Sequence, residues 1–180
     1  TSTNLTLSAG TSTIVNNSSN IAKTFNGGGL TFYNVDYGFA PTTANVTYSC
    51  TGANTFNNLT FGNQGSSGIS GVAFSANQTI NGTLTVPVGG TAGMCRFFVQ
   101  SDTIGTTRTL TCAAVSLTDV DFRDITIAGA AAPASGTRLG DCKGNSGITF
   151  PAAKTVYWNV STTGNWASTS WATCAGGSVA

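Results

Sequence analysis

The sequence predicts an all-β chain built as a parallel β-helix, a solenoid-like stack of short strands. An antiparallel β-sandwich or jelly roll is the alternative. Three observations lead there. First, a phrase of an aliphatic residue, Thr and an apolar residue returns along the chain: Leu5-Thr6-Leu7, Leu30-Thr31-Phe32, Leu59-Thr60-Phe61, Leu84-Thr85-Val86, Leu110-Thr111-Cys112, Ile125-Thr126-Ile127 and Ile148-Thr149-Phe150. Apart from the short step from Leu110 to Ile125, the phrases start 23 to 29 residues apart. At such a spacing each repeat is too small to bury its own apolar face and stacks on its neighbours. Second, each phrase alternates apolar and wettable residues at the strand period of two, so Leu59 and Phe61 are expected to point inward and Thr60 outward. Third, helical periodicity is nearly absent. The Ala-rich stretch Ala128 to Ala134 is broken by Gly129 and Pro133 and reads as a loop.

The elements follow in order. Residues 1 to 22 hold Asn4-Leu5-Thr6-Leu7 and Thr13-Ile14-Val15, short apolar runs bounded by Ser, Gly and Asn. Thr24-Phe25-Asn26, three glycines and Leu30-Thr31-Phe32 then match Thr55-Phe56-Asn57-Asn58-Leu59-Thr60-Phe61 and Thr79-Ile80-Asn81-Gly82-Thr83-Leu84-Thr85-Val86. Asp121-Phe122-Arg123-Asp124-Ile125 is a looser copy that places Phe122 with Phe56 and Ile125 with Leu59. Gly27-Gly28-Gly29 and Gly89-Gly90 read as turns, because no Lys-Ser/Thr follows to make a phosphate loop. Cys95-Arg96-Phe97-Phe98-Val99 is a strand and Asp102-Thr103-Ile104-Gly105 a turn. Leu110 to Leu117 and Val120 to Ile127 are two strands of one layer or a hairpin. After Phe150 the composition changes, and all three tryptophans fall between 158 and 171. The expected organisation is a repetitive β-rich domain over 1–150 and a Trp-rich terminal cap or linker over 151–180.

Composition limits the chemistry. Hydrophobic residues make up 40% of the chain and charged residues 7%, against about 25% charged in ordinary domains. The surface is therefore neutral and rich in Thr, Ser, Asn and Gly. A net charge of +1 points to neither nucleic acid nor an anionic bilayer as partner. The chain has no His and no Glu, which removes imidazole bases, His-ligated metals and paired-Glu glycosidase sites. No apolar run reaches the ~18 residues of a membrane span. With no initiator Met and no signal peptide, a mature product or an excised fragment is expected.

The phrase Thr-Phe-Asn-Asn-Leu-Thr-Phe, set in a Gly/Ser/Thr/Asn background, resembles the β-solenoid surface proteins of bacteriophage virions (fibre, spike and capsid-surface proteins). It also resembles autotransporter-like bacterial surface proteins. Tyr157-Trp158-Asn159 through Gly164-Asn165-Trp166 to Trp171 is similar to a phrase found between solenoid units of such proteins. So are Asp121-Phe122-Arg123-Asp124-Ile125-Thr126, Gly140-Asp141-Cys142 and Ile148-Thr149-Phe150 to phage structural sequences. The resemblance implies a non-enzymatic structural or adhesive protein on a virion surface or in an extracellular, cell-surface setting. It would be a homo-oligomer or be joined to other surface proteins, with a host glycan as possible contact and no cofactor. A bacterial surface adhesin or passenger fragment is the alternative, and a polysaccharide-cleaving β-helix enzyme the second.

Four groups of residues are candidates for function. Tyr157, Trp158, Trp166 and Trp171 suit stacking on sugar rings or a subunit contact. Asp119, Asp121 and Asp124 are weighed as an acid–base or calcium-binding set, against turn capping and pairing with Arg123 or Arg96. Cys50, Cys95, Cys112, Cys142 and Cys174 are candidates for disulfides, but their odd number leaves one thiol free or shared between chains. Eight Asn-X-Ser/Thr sequons occur, among them one at Asn58 within a strand, a poor place for a glycan.

Overall fold

The computed structural model describes residues 6–16, 21–37, 46–62, 68–86, 95–152, 157–158 and 171–172. The chain divides into two compact units, Thr1–Phe150 and Pro151–Ala180. Among the described residues there are strands and turns and no helix.

The first unit is made of two six-stranded sheets. The first sheet holds, in spatial order, β1 (Thr13–Val15), β3 (Thr31–Tyr37), β5 (Thr55–Phe61), β7 (Gln78–Val86), β9 (Arg108–Leu117) and β11 (Ile125–Ala128). The second holds β2 (Thr24–Asn26), β4 (Thr47–Thr51), β6 (Gly68–Phe74), β8 (Cys95–Ser101), β10 (Val120–Arg123) and β12 (Gly140–Asp141). Successive strands alternate between the sheets, and each strand pairs in parallel with the strand two places along the chain. Parallel neighbours need a crossover connection; here the crossover passes through a strand of the opposite sheet. The antiparallel sandwich is therefore not formed in this unit. Nor is there a hairpin between residues 110 and 127. Leu117 and Val120 lie in different sheets, and Val120 to Ile127 is divided at Asp124 into β10 and β11.

The apolar members of the strands meet between the sheets. Phe32, Phe56, Ile80 and Cys112 pair in sequence across β3, β5, β7 and β9, as do Val35, Leu59, Leu84 and Val115. Across β4, β6, β8 and β10 the same role falls to Tyr48, Val72, Val99 and Phe122. Nearly all of these are buried. Rings stack along one sheet, Phe32 on Phe56 at 5.9 Å and Tyr37 on Phe61 at 5.0 Å. Phe25 of the second sheet meets Phe32 of the first edge-on at 5.0 Å.

The register corrects the expected alignment. Leu59-Thr60 does pair with Leu84-Thr85, but on its other side it meets Val35-Asp36, not Leu30-Thr31. Thr31-Phe32 pairs instead with Thr55-Phe56. Thr24-Phe25-Asn26 lies in the second sheet opposite Ser49-Cys50-Thr51, so it is no copy of Thr55-Phe56-Asn57 in place. Phe122 pairs with Val99 in the second sheet, and Ile125 pairs with Arg108 in the first. The short step to Ile125 thus reflects a different position in the layer, not a shortened repeat.

Two polar spines run through the stack. Asn34 and Asn58 bond through their amides at 3.0 Å. Asn34 also donates to Thr13 Oγ1, and Asn58 Oδ1 accepts from the Thr83 amide. Here β7 carries one extra residue, and a Cβ at Gly82 would overlap Asn57 O and Asn58 Oδ1, so the bulge needs glycine. The second spine is buried. Asn54 and Gln78 join side chains at 3.1 Å and between them serve the turn backbone at Gly29, Thr51, Gly52 and Ala76. Gly28 and Gly29 adopt positive φ in the turn beside this spine, as the glycine run leads one to expect.

The second unit contains a two-stranded antiparallel ribbon, β13 (Tyr157–Trp158) with β14 (Trp171–Ala172). Tyr157 stands opposite Ala172, and Trp158 opposite Trp171.

Candidate functional site

The three aspartates lie on the corners and outer face of β10. Asp119 and Asp124 bracket the strand, and both have positive φ, at 58° and 55°. The residues stacked on them in the next layer, Arg138 and Lys143, share that conformation, joined by Asp119 N to Thr137 O at 2.9 Å and Asp124 N to Lys143 O at 3.0 Å. Left-handed backbone costs a non-glycine residue about 1–2 kcal/mol, and Asp is one of the few such residues that visit it.

The hydrogen bonds that hold these aspartates come from residues 19 or more positions away in the chain. Asp119, almost fully buried, accepts two bonds from Arg138, at 2.6 and 2.7 Å. Arg96 lies between Asp119 and Asp121: its Nη1 is 3.5 Å from Asp119 Oδ1, and its Nε and Nη2 bond Asp121 at 2.9 and 2.5 Å. Hydrogen bonding to Asp121 raises the Arg96 pKa above its ordinary value. Gly140 packs under this clamp, where a Cβ would overlap Asp121 Oδ1. Asp124 Oδ2 accepts from the Gly105 amide at 3.0 Å and lies 3.8 Å from Arg123 Nε. The Arg123 guanidinium also covers the Phe98 ring and donates to Gln100. An acid–base pair needs a reacting group between its members, and here a guanidinium fills the space between Asp119 and Asp121. Among the described residues, no three His, Cys, Asp or Glu side chains gather as a metal site. The arrangement fastens layer to layer, and Arg138, whose residue type and spacing give no sign of this role, does much of the fastening.

The cysteines separate by environment. Cys50 and Cys112 are free, inward-facing and buried, and desolvation pushes each thiol up to about 12. Cys142 is free and exposed; partial desolvation, then Asp121 and Asp141, raise its pKa. The side chain of Cys95 and all of Cys174 lie outside the described residues. Since the thiolate is the reactive form, iodoacetamide at pH 8 is expected to label Cys142 in the folded protein. Cys50 and Cys112 should be labelled only in denaturant. Peptide mass spectrometry reads the difference, and equal labelling of all three in the native state would contradict the burial.

Of the aromatic candidates, Tyr157 is 41% exposed, Trp158 and Trp171 occupy opposed positions in the ribbon, and Trp166 lies outside the described residues. At the Asn58 sequon the amide nitrogen is engaged with Asn34, so a glycan there would break the first polar spine.

Concave surface lies on the outer face of the first sheet. One hollow of about 330 Å³ is bordered by Leu7, Ala9 and Gly10 and floored by Tyr33, Asn57 and Asn81. A second, of about 210 Å³, shares Asn81 and continues past Ala113 to Gly129 and Ala130. No family model matches this chain, and neither the curated proteins nor the solved structures compared with it give a match. Asn57 and Asn81 are strand residues placed where the inward positions are interrupted, by Tyr33-Asn34 in β3, by Asn57-Asn58 in β5 and by Asn81-Gly82-Thr83 in β7. That interruption of the alternation is the signal that could have found them. Among the described residues no helix is long and apolar enough to cross a membrane.

Proposed function

We propose that the first unit winds as a β-helix and serves as a non-enzymatic structural and adhesive protein on the exterior of a phage virion, as fibre, spike or decoration. The observation that carries this is the strict alternation of strands between two parallel sheets. Such a chain adds one strand to each sheet per layer and grows along one axis, which makes a stiff element for holding something away from a surface. The outer face of its first sheet carries a row of hydroxyls: Thr31, Thr55, Thr79 and Thr111 follow one another across four strands. The choice of a virion rests on the resemblance of the repeated phrase and of the Trp-rich segment. A bacterial adhesin or passenger would use the same physics.

Assembly with further copies or with other surface proteins belongs to this reading. β1 ends the strand order of its sheet, and Ile14 and Val15 stand 40% and 58% exposed on it. An exposed edge with apolar side chains favours association. A native mass well above 18.2 kDa at micromolar concentration is expected, and a strict monomer would remove the assembly claim. Location is tested by immunogold labelling with antibodies to the chain. Label on the outside of intact virions supports the proposal, label on bacterial envelopes alone transfers it to the adhesin, and label confined to the cell interior overturns it.

A further inference from the structure

We propose that the trough on the outer face of the first sheet binds a neutral glycan chain, laid across the strands in extended form. The proposal deepens the display role and rests on it for the source of the ligand.

The geometry comes from the register. Thr31-Phe32 pairs with Thr55-Phe56, Thr55-Phe56 with Thr79-Ile80, and Thr79-Ile80 with Thr111-Cys112. The next residue on each strand is Tyr33, Asn57, Asn81 and Ala113, so these four form one row across β3, β5, β7 and β9. Neighbouring strands lie about 4.8 Å apart, which gives the row a length of about 14 Å. The two hollows meet at Asn81 and run along this row. The strand spacing is close to the rise of one ring in an extended hexose chain, so successive sugars would meet successive strands.

The lining has the chemistry for it. Tyr33 presents an aromatic face with a polar edge, the combination that accepts the C–H face of a sugar while bonding its hydroxyls. Asn34 and Asn58 are engaged with each other, whereas among the described residues the side-chain amides of Asn57 and Asn81 have no partner in the protein. Each offers a carbonyl acceptor and two N–H donors. Thr31, Thr79 and Thr111 add hydroxyls along the edge, and Ala113, Gly129 and Ala130 leave one end open. No charged side chain lines either hollow, so an anionic polymer would find no counter-charge. A peptide is disfavoured for another reason. Strand addition needs the backbone groups of a sheet edge, and this face presents side chains.

The test uses the full chain and isothermal titration with neutral tetrasaccharides of glucose, galactose and N-acetylglucosamine, beside the free sugars and tetragalacturonate. At least one neutral tetrasaccharide should bind, with the free sugar and the anionic oligomer much weaker. Tyr33→Ala and Asn57→Ala should each weaken binding about tenfold, the loss of one or two good contacts. Ala113→Arg, a change at an exposed position, should block the open end without touching the core, and it keeps the test alive if Tyr33→Ala folds poorly. Tyr157→Ala should leave binding unchanged. Absence of binding to every neutral tetrasaccharide overturns the proposal, as does binding indifferent to both Tyr33→Ala and Ala113→Arg, or binding lost in Tyr157→Ala. The display role fails separately: Tyr33-dependent binding by a chain found only inside cells overturns the location and leaves the trough.

Discussion

Phe56→Ala is expected to lower the free energy of unfolding by about 3–5 kcal/mol, the range for emptying a large aromatic site in a packed core. Phe56 is 0% exposed and sits on a central strand with partners on both sides, Phe32 and Ile80. Its ring lies 5.9 Å from Phe32 and 6.0 Å from Phe25, so it joins the two sheets as well as two layers. The cost depends on how far the surroundings can close over the void. Here β3 and β7 are held at ladder distance by their hydrogen bonds to β5, so the strands cannot approach and the cavity stays open. Thr60→Ala, a half-buried outward residue of the same strand, should change stability by no more than about 0.5 kcal/mol. Urea unfolding followed by circular dichroism gives both values. A loss below about 1 kcal/mol for Phe56→Ala would mean that the side chain does not fill the space between the sheets. A stack also permits a second signature. In the proposed β-helix each layer interacts with its nearest neighbours, so a break in the middle would uncouple the two ends and reduce the slope of the transition as well as its midpoint.

The same nearest-neighbour character explains what the sequence could and could not disclose. Alternation within a phrase is local, and it placed Leu59 and Phe61 inward and Thr60 outward, whereas Leu7 of the first phrase is 40% exposed. Sheet membership is not local. Thr24-Phe25-Asn26 and Thr55-Phe56-Asn57 share their first three residues yet occupy opposite sheets, because both sheets ask the same thing of a strand: apolar residues toward one interior, wettable ones toward water. The repeated phrase therefore marks a kind of strand, not a fixed place in the layer. Layer lengths hid the register further. Three residues join β4 to β5 and β6 to β7, while six exposed residues, 102–107, join β8 to β9.

The site residues follow the same division. Pairing of Asp121 with Arg96 was open to reading, since opposite charges 25 residues apart fall on adjacent layers when the period is in the twenties. Arg138 was not, because its role depends on a left-handed corner stacked on Asp119, and nothing in the residue type announces that. Gln78 was missed for a related reason. A glutamine at the start of a strand looks like a solvated end, and only the stacking of Asn54 and Gln78 turns it into an interior group.

Gln78→Leu tests that interior group, and it is expected to cost about 2–4 kcal/mol even though the side chain becomes more apolar. In register, Gln78 is followed by Leu110 and then Ile127, so the column accepts a leucine by shape. What it loses is bonding. The Gln78 carbonyl accepts from the Asn54 backbone N–H at 3.2 Å and from the Asn54 side chain at 3.1 Å, and the amide donates to Gly52 O and Ala76 O at 2.8 Å each. With Asn54 1% and Gln78 2% exposed, water does not readily replace those partners, and a buried polar group left unpaired costs about 1–3 kcal/mol. Gln78→Glu separates bonding from shape. It keeps the length and the acceptors but sets a carboxylate against Gly52 O and Ala76 O. Burial raises the pKa of a carboxyl in the folded state, so the folded form binds the proton more tightly than the unfolded one. The Gln78→Glu protein should therefore be most stable below the unfolded value of about 4.3 and lose stability as pH rises through the raised folded value. Gln78→Leu should show no such dependence relative to the parent. Urea midpoints between pH 3 and pH 8 distinguish the two, and parallel pH profiles for both variants would show that residue 78 reaches water.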